Sequence, residues 1–194
     1  MENNNRLNAK DLINVGIYTA ICAVLCCVVA ITGVIPIMMV LLVVFVPLLT
    51  GIPYMMFLTK VKKFGMILIL NVLMGALMWV TGMSYYALIV GTIAGLIAEL
   101  IYKAGGYKSK WHGIFAYAVS GIYCWANYFG IIFNAEAYFS TRQKFGQEYI
   151  DAVTKLLPVW MCPVLLVTDI VCGIIGGWIG SKILKKHFEK AGIA

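Results

Sequence analysis

Six long apolar runs separated by short polar connections leave this 194-residue chain few ways to fold. They lie at about 12–32, 36–59, 64–82, 84–102, 112–134 and 156–181, each near the ~20 residues that a helix needs to cross a ~30 Å hydrocarbon layer. In lipid every backbone polar group must bond within the chain, so spans of this length and composition are helices. The cations then choose an orientation. Counting connections from the N-terminus, the odd ones carry Arg6, Lys10, Lys60, Lys62, Lys63, Lys103, Lys108, Lys110, Lys182, Lys185, Lys186 and Lys190. The even ones carry Arg142, Lys144 and Lys155, a split of 12 against 3. Lysine and arginine on short loops stay in the cytoplasm. The expected fold is therefore an all-α integral membrane protein with six transmembrane helices and both termini cytoplasmic. It would be a single domain over 1–194, multi-pass in the cell membrane.

With 62% hydrophobic and 12% charged residues, six spans leave no room for a soluble catalytic domain. The net charge of +7 is accounted for by cytoplasmic flanks that set orientation and meet anionic lipid, so no nucleic-acid partner is expected. The polar, Asn-rich start does not read as a cleavable signal, and the first apolar run is long enough to remain as a span. All six cysteines fall inside proposed spans, with no CxxC and no histidine beside them, so they read as small packing residues and no metal or cofactor is expected. There is no GxxxxGK[ST] loop, no HExxH and no GxSxG, and His112 and His187 lie at cytoplasmic span ends. The chain does not read as an enzyme.

Within the spans, Asn8–Asp11 offer capping side chains to the first helix, and Pro47 and Pro53 around Gly51 predict a kink or break near Thr50–Pro53. Thr81–Ser84 predicts a tight outer hairpin. The one sizeable connection, 135–155, places Phe145, Tyr149, Ile150 and Val153 at helical spacing. It reads either as a solvated connector or as an amphipathic helix that could cover an outward cavity. Small residues four apart recur at Gly16/Ala20, Gly91/Gly95, Gly173/Gly177 and Gly176/Gly180. The later pairs read as packing inside the bundle, whereas the first could face a separate subunit. Asp169 lies deep in the last run, where a carboxylate costs at least ~2.5 kcal/mol and needs a partner, a proton or a polar cavity. Glu99, at the inner end of the fourth run, is explained by snorkelling or by nearby lysines. Trp125, Asn127 and Tyr128 in the fifth run, with Trp160 and Asp169, combine stacking faces and fixed polar groups of the kind a small organic ligand requires. Most other outer-half aromatics are an interfacial belt.

The stretches Lys10-Asp-Leu-Ile-Asn-Val-Gly-Ile-Tyr-Thr-Ala20, Gly51-Ile-Pro-Tyr-Met-Met-Phe-Leu-Thr-Lys-Val-Lys-Lys-Phe-Gly65 and Gly176-Gly-Trp-Ile-Gly-Ser-Lys-Ile-Leu-Lys-Lys-His-Phe-Glu-Lys-Ala-Gly192 carry a resemblance across nearly the whole chain. It resembles the Trep_Strep-type (MptD-like) substrate-binding S components of energy-coupling factor (ECF) transporters. The resemblance implies an S-component-like bundle that captures a vitamin or similar micronutrient at the outer face. It further implies docking on a transmembrane T component driven by two ATPase subunits. The family's Ala-xxx-Ala docking pattern falls on Gly16 and Ala20, with glycine replacing the first alanine, although Thr19/Ala23 is a neighbouring register. The ligand pocket in such proteins lies in the outer halves of the later spans, where Trp125, Asn127, Tyr128, Trp160 and Asp169 fall, and 135–155 would be its lid. Two alternatives stay open: a self-sufficient small transporter, proton-coupled through Asp169, and a membrane assembly subunit that binds only other helices.

Overall fold

The computed structural model describes residues 6–140 and 145–190, with side chains as far as Lys185. Arg142 and Lys144 lie outside the described residues, as do the side chains of Lys186 and Lys190. The architecture is all-helical. In chain order the helices are α1 (Ala9–Ile31), α2 (Pro36–Leu58), α3 (Met66–Val80), α4 (Tyr86–Ala104), α5 (Lys110–Ser120), α6 (Ile122–Phe133), α7 (Ala135–Ser140), α8 (Gln147–Leu156) and α9 (Met161–Lys190). Among the described residues, four segments are long and apolar enough to cross a bilayer: Ala9–Val34, Pro36–Leu58, Tyr86–Ala104 and Met161–Lys185. α3 is apolar but has only 15 residues. The 112–134 run is two helices rather than one, α5 and α6, meeting at Gly121, which itself keeps right-handed helical dihedrals.

Local sequence explains the ends. Asn8 caps α1 reciprocally: its Oδ1 accepts from Asp11 N at 2.9 Å, and Asp11 Oδ2 accepts from Asn8 N at 2.9 Å. The α3–α4 hairpin turns at Gly82, whose φ of +81° suits a residue without a Cβ. Pro47 and Pro53 do not break α2, which runs on to Leu58. The Tyr117 hydroxyl donates to Pro47 O and lies 2.8 Å from Thr50 Oγ1, so a neighbouring helix ties down the stretch that the prolines weaken.

Lipid tails are as apolar as leucine, so helices in a bilayer are held by close packing more than by apolar burial. Here the closest approach is between α2 and α9. A Cβ on Gly176 would strike Pro47 O, one on Gly180 would strike Gly51 O, and one on Gly51 would strike the Gly176 backbone. Gly173 meets Ala118 of α5 in the same way, and Gly95 of α4 meets the Asn71 side chain of α3. Asn71 Nδ2 donates to Ser120 Oγ at 2.7 Å, adding a polar link from α3 to α5.

Lys63, Lys103, Lys108, Lys110 and Lys185 collect at one end of the bundle. Lys63 Nζ pairs with Asp11 Oδ2 at 2.8 Å and donates to Arg6 O at 2.9 Å, joining the start of α1 to the α2–α3 turn. Lys103 stands 5.2 Å from the Phe64 ring centroid, and Lys108, Lys110 and Lys185 face a common cavity. The first turn of α1 and the last turns of α9 are therefore at the same end.

Glu99 is also near this end, but it does not snorkel. It is fully buried. Its Oε2 accepts from Ile67 N at 2.8 Å and Leu68 N at 3.3 Å, and its Oε1 accepts from Tyr107 OH at 3.3 Å. The N-cap of α3 is Gly65, which has no side chain to offer, so the carboxylate of α4 serves N–H groups that have no partner within the helix and the positive end of the α3 dipole. Burial and the adjacent Glu99 carboxylate push the Tyr107 phenol up to about 12, so it remains a donor at neutral pH.

The opposite end is closed by α7 and α8. Val153 and Leu157 are buried with Tyr138 and Phe139 in a cluster that includes Met39 and Val43 of α2. Tyr149 donates to Gly33 O in the turn after α1. The 135–155 connection is thus a packed cap rather than a solvated connector, as far as residues 135–140 and 145–155 describe it.

Candidate functional site

Next to that cluster, and sharing Met39, Val43 and Tyr128 with it, α1, α2, α3 and α6 line a cavity of about 140 Å³ whose edge includes the exposed Cys27, Leu77 and Thr81. Its walls are dominated by sulfur and carbon. Cys26 and Cys27 of α1, Met39 of α2, Met74 and Met78 of α3, Met83 of the hairpin and Cys124 of α6 all line it. Thioethers are flexible and polarizable, which suits a wall that adapts to flat or irregular ligands. An apolar cavity of ~150 Å³ is sufficient for a benzene-sized ring.

Two of the residues expected at a ligand site line this cavity, Asn127 and Tyr128. α6 presents them on its buried face. Asn127 Oδ1 accepts from Ser84 N at 3.2 Å, and its Nδ2 donates to Tyr138 OH at 3.1 Å, so one amide holds both the α3–α4 hairpin and the α7 cap. Tyr128 OH accepts from Val43 N at 3.1 Å and donates to Met39 O at 2.9 Å. Each group keeps spare capacity, since the amide has a second N–H and a second lone pair. The polar edge of the cavity is therefore small and pre-positioned by the cap.

The other three expected residues are elsewhere. Trp125 donates from Nε1 to Cys162 O at 2.7 Å and straps α6 to the start of α9. Trp160 is 66% exposed in the turn before α9. Asp169 is 1% exposed, and neither carboxylate oxygen has a hydrogen-bond partner among the described residues. Its Oδ2 is 3.9 Å from where a Cβ on Gly121 would sit, so it faces the α5–α6 junction and does not line the cavity. Two of the five expected residues share this cavity and three do not. The direction each faces around its helix divides them.

The small-residue pair expected to face another subunit, Gly16 and Ala20, lies on a different surface. Gly16 and Ala20 are exposed, and a Cβ on Gly16 would meet nothing within 4 Å. Leu12, Ile13, Ile17 and Val24 are exposed around them. Thr19, by contrast, is buried, with its hydroxyl donating to Val15 O at 2.7 Å, and Ala23 lines the cavity. Of the two candidate registers, Gly16/Ala20 faces outward and Thr19/Ala23 inward.

These features define a multi-pass, all-helical membrane protein with a small apolar cavity between its helices. The chain belongs to the Trep_Strep family, described as hypothetical bacterial integral membrane protein, whose model matches residues 9–190. No curated protein and no solved structure matches it.

Proposed function

We propose that this chain is the substrate-capture S component of an ECF-type importer, crossing the membrane six times with both termini in the cytoplasm. In this reading α3 is a short crossing and α5–α6 is one crossing jointed at Gly121. The lysine-rich end is the cytoplasmic one, by the preference of short cationic loops for that side. The cavity under α7 and α8 then opens from the outer half of the bundle and receives a vitamin-like or other small organic ligand. A transmembrane T component and two ATPase subunits supply docking and energy, and the chain itself has no enzymatic role.

The observation that carries this reading is the outward small-residue face of α1. Only 22% of the most apolar stretch of α1 is buried within the chain, against 44% for α2, so α1 keeps a face that its own fold does not use. Glycine and alanine at its centre allow another helix to approach to backbone distance.

The test is affinity purification of the tagged chain from its native membranes in mild detergent. A T component and two ATPases should co-purify with it, and Gly16→Leu or Ala20→Leu should remove them while leaving ligand affinity intact. If both variants keep the complex, the docking surface is elsewhere and the reading fails.

One observation favours a second reading. The unpartnered Asp169 carboxyl is what a self-sufficient, proton-coupled transporter would keep in its interior. Proton-driven uptake by vesicles containing this chain alone, lost in Asp169→Asn, would establish it.

A further inference from the structure

The walls of the cavity between α1, α2, α3 and α6 restrict the chemistry of what can occupy it. Seven of its sixteen lining residues are cysteine or methionine, against 16 of the 194 in the whole chain, so sulfur is concentrated here. Such sulfur makes favourable contacts with aromatic rings at ~5 Å. Size sets a second limit. A volume of about 140 Å³ suits a single six-membered ring, and the open edge at Cys27, Leu77 and Thr81 leaves room for a short substituent. Pockets for larger, drug-sized ligands start at ~300 Å³.

Charge and hydrogen bonding set the remaining limits. Among the described residues no lysine, arginine, aspartate or glutamate lines the cavity. A charged ligand would lose its water and gain no partner, which is costly in an apolar site. The polar side chains of the wall are nearly all engaged. Thr81 Oγ1 donates to Leu77 O and Met78 O, both at 2.9 Å. The Tyr128 hydroxyl proton is shared between Met39 O at 2.9 Å and Val40 O at 3.2 Å. Apart from the thiols, which are weak donors, Asn127 alone among the described lining side chains keeps a free N–H. Tyr138 takes its other N–H, and Ser84 N fills one lone pair of its oxygen. A neutral carboxamide on a ligand meets what is left, its oxygen accepting from the free N–H and its own N–H donating to the free lone pair.

Resting on the reading of this cavity as the capture site, we propose that it takes an uncharged, single-ring aromatic ligand bearing a carboxamide or similar carbonyl group. The ring lies against the methionines and the carbonyl oxygen accepts from Asn127 Nδ2. Carboxylates, phosphates and ammonium compounds are excluded.

The test is ligand-observed NMR titration of benzamide and of benzoate against the purified full-length chain in detergent at neutral pH. The two compounds have nearly the same shape, but only benzoate is charged and only benzamide carries an N–H. Benzamide should bind, and benzoate should bind at least about 100-fold more weakly, because its charge has no partner in the cavity. Asn127→Leu should weaken benzamide about tenfold, the worth of one hydrogen bond. That amide also holds the α3–α4 hairpin and α7, so Ala23→Leu serves as a second variant. It fills the cavity from α1 without removing a hydrogen bond, and should weaken benzamide at least as much. Benzoate binding as tightly as benzamide, neither compound binding, or undiminished binding of benzamide to Ala23→Leu would overturn the proposal. Affinity purification separates this outcome from the failure of the importer reading. Benzoate preferred by a chain that retains a T component and ATPases rejects the ligand class alone, and benzamide preferred by a chain that purifies without them rejects the importer alone.

Discussion

Two small-residue faces in this molecule share one sequence pattern and have opposite surroundings. On α9, Gly176 and Gly180 press against the carbonyls of Pro47 and Gly51, with no space for a Cβ. On α1, Gly16 and Ala20 look away from the bundle, and Gly16 has open space where its side chain would be. Spacing of four puts small residues on one face of a helix, but it carries no information about what lies across from that face. The α9 pair is filled by the chain's own α2. The α1 pair is free to be filled by another molecule. The difference teaches that a small-xxx-small face indicates a partner only after the fold has used the faces that it needs for itself.

The comparison breaks most easily on the closed side. Gly176→Leu must drive side-chain atoms into the Pro47 carbonyl, and backbone cannot give way as a flexible side chain can. Overpacking of this kind costs about 3 kcal/mol or more. Thermal unfolding in detergent should show either failure to accumulate folded protein or a large drop in midpoint. Gly180→Ala, which adds one methyl against Gly51 O, should show a smaller loss of about 1–3 kcal/mol. If both variants unfold like the parent, α2 and α9 are not in backbone contact, and the closed face is no different from the open one.

The same logic separates the two buried carboxyls. Glu99 accepts two backbone N–H groups and a phenol, whereas Asp169 has no hydrogen-bond partner among the described residues. Glu99→Gln should cost about 1.5–3 kcal/mol, the range for hydrogen bonds to a charged group. Asp169→Asn has no such bond to lose and should cost less than ~1 kcal/mol. Chemical-denaturation midpoints of the two variants measured side by side check the order. A reversal would mean that Asp169 holds a partner the fold depends on and that Glu99 does not cap α3.

How much of this was legible from the chain follows from what each signal measures. Charge sorting runs along the chain, and the lysines expected on one side do gather at one end, from Lys63 beside Asp11 to Lys185 beside Lys110. Capping by Asn8 and Asp11, the hairpin at Gly82 and the internal packing of Gly173, Gly176 and Gly180 were legible for the same reason, because each depends on local spacing. What was not legible depends on rotation about a helix axis. Trp125 and Asn127 are two residues apart on α6, yet one straps α9 and the other lines the cavity. Asp169 was expected beside Asn127 and Tyr128 but faces Gly121. The sulfur-lined wall left a faint trace in the i, i+4 pair Met74 and Met78, which apolar composition hides. Pro47 and Pro53 suggested a kink or break; α2 is continuous, and Tyr117, 70 residues from Pro47 in sequence, bonds to it there.

The open side of the comparison should give the smallest change in stability and the largest change in partnership. Gly16→Leu adds a side chain to an exposed, apolar surface with nothing within reach, and such substitutions usually fall within ±0.5 kcal/mol. It also replaces a poor helix former with a good one, so its intrinsic effect on α1 is favourable. Its unfolding midpoint should therefore match or slightly exceed that of the parent. Thr19→Ala, one turn away on the buried face, removes only a hydroxyl bonded back to Val15 O and should also be nearly silent for folding. The two variants differ in what they present to another helix: Gly16→Leu blocks close approach, and Thr19→Ala leaves the outer face untouched. Co-purification of a membrane partner with Thr19→Ala but not with Gly16→Leu, at equal midpoints, would assign the α1 face to docking. Loss with Thr19→Ala and retention with Gly16→Leu would give α1 the inward register and make its open face plain lipid contact.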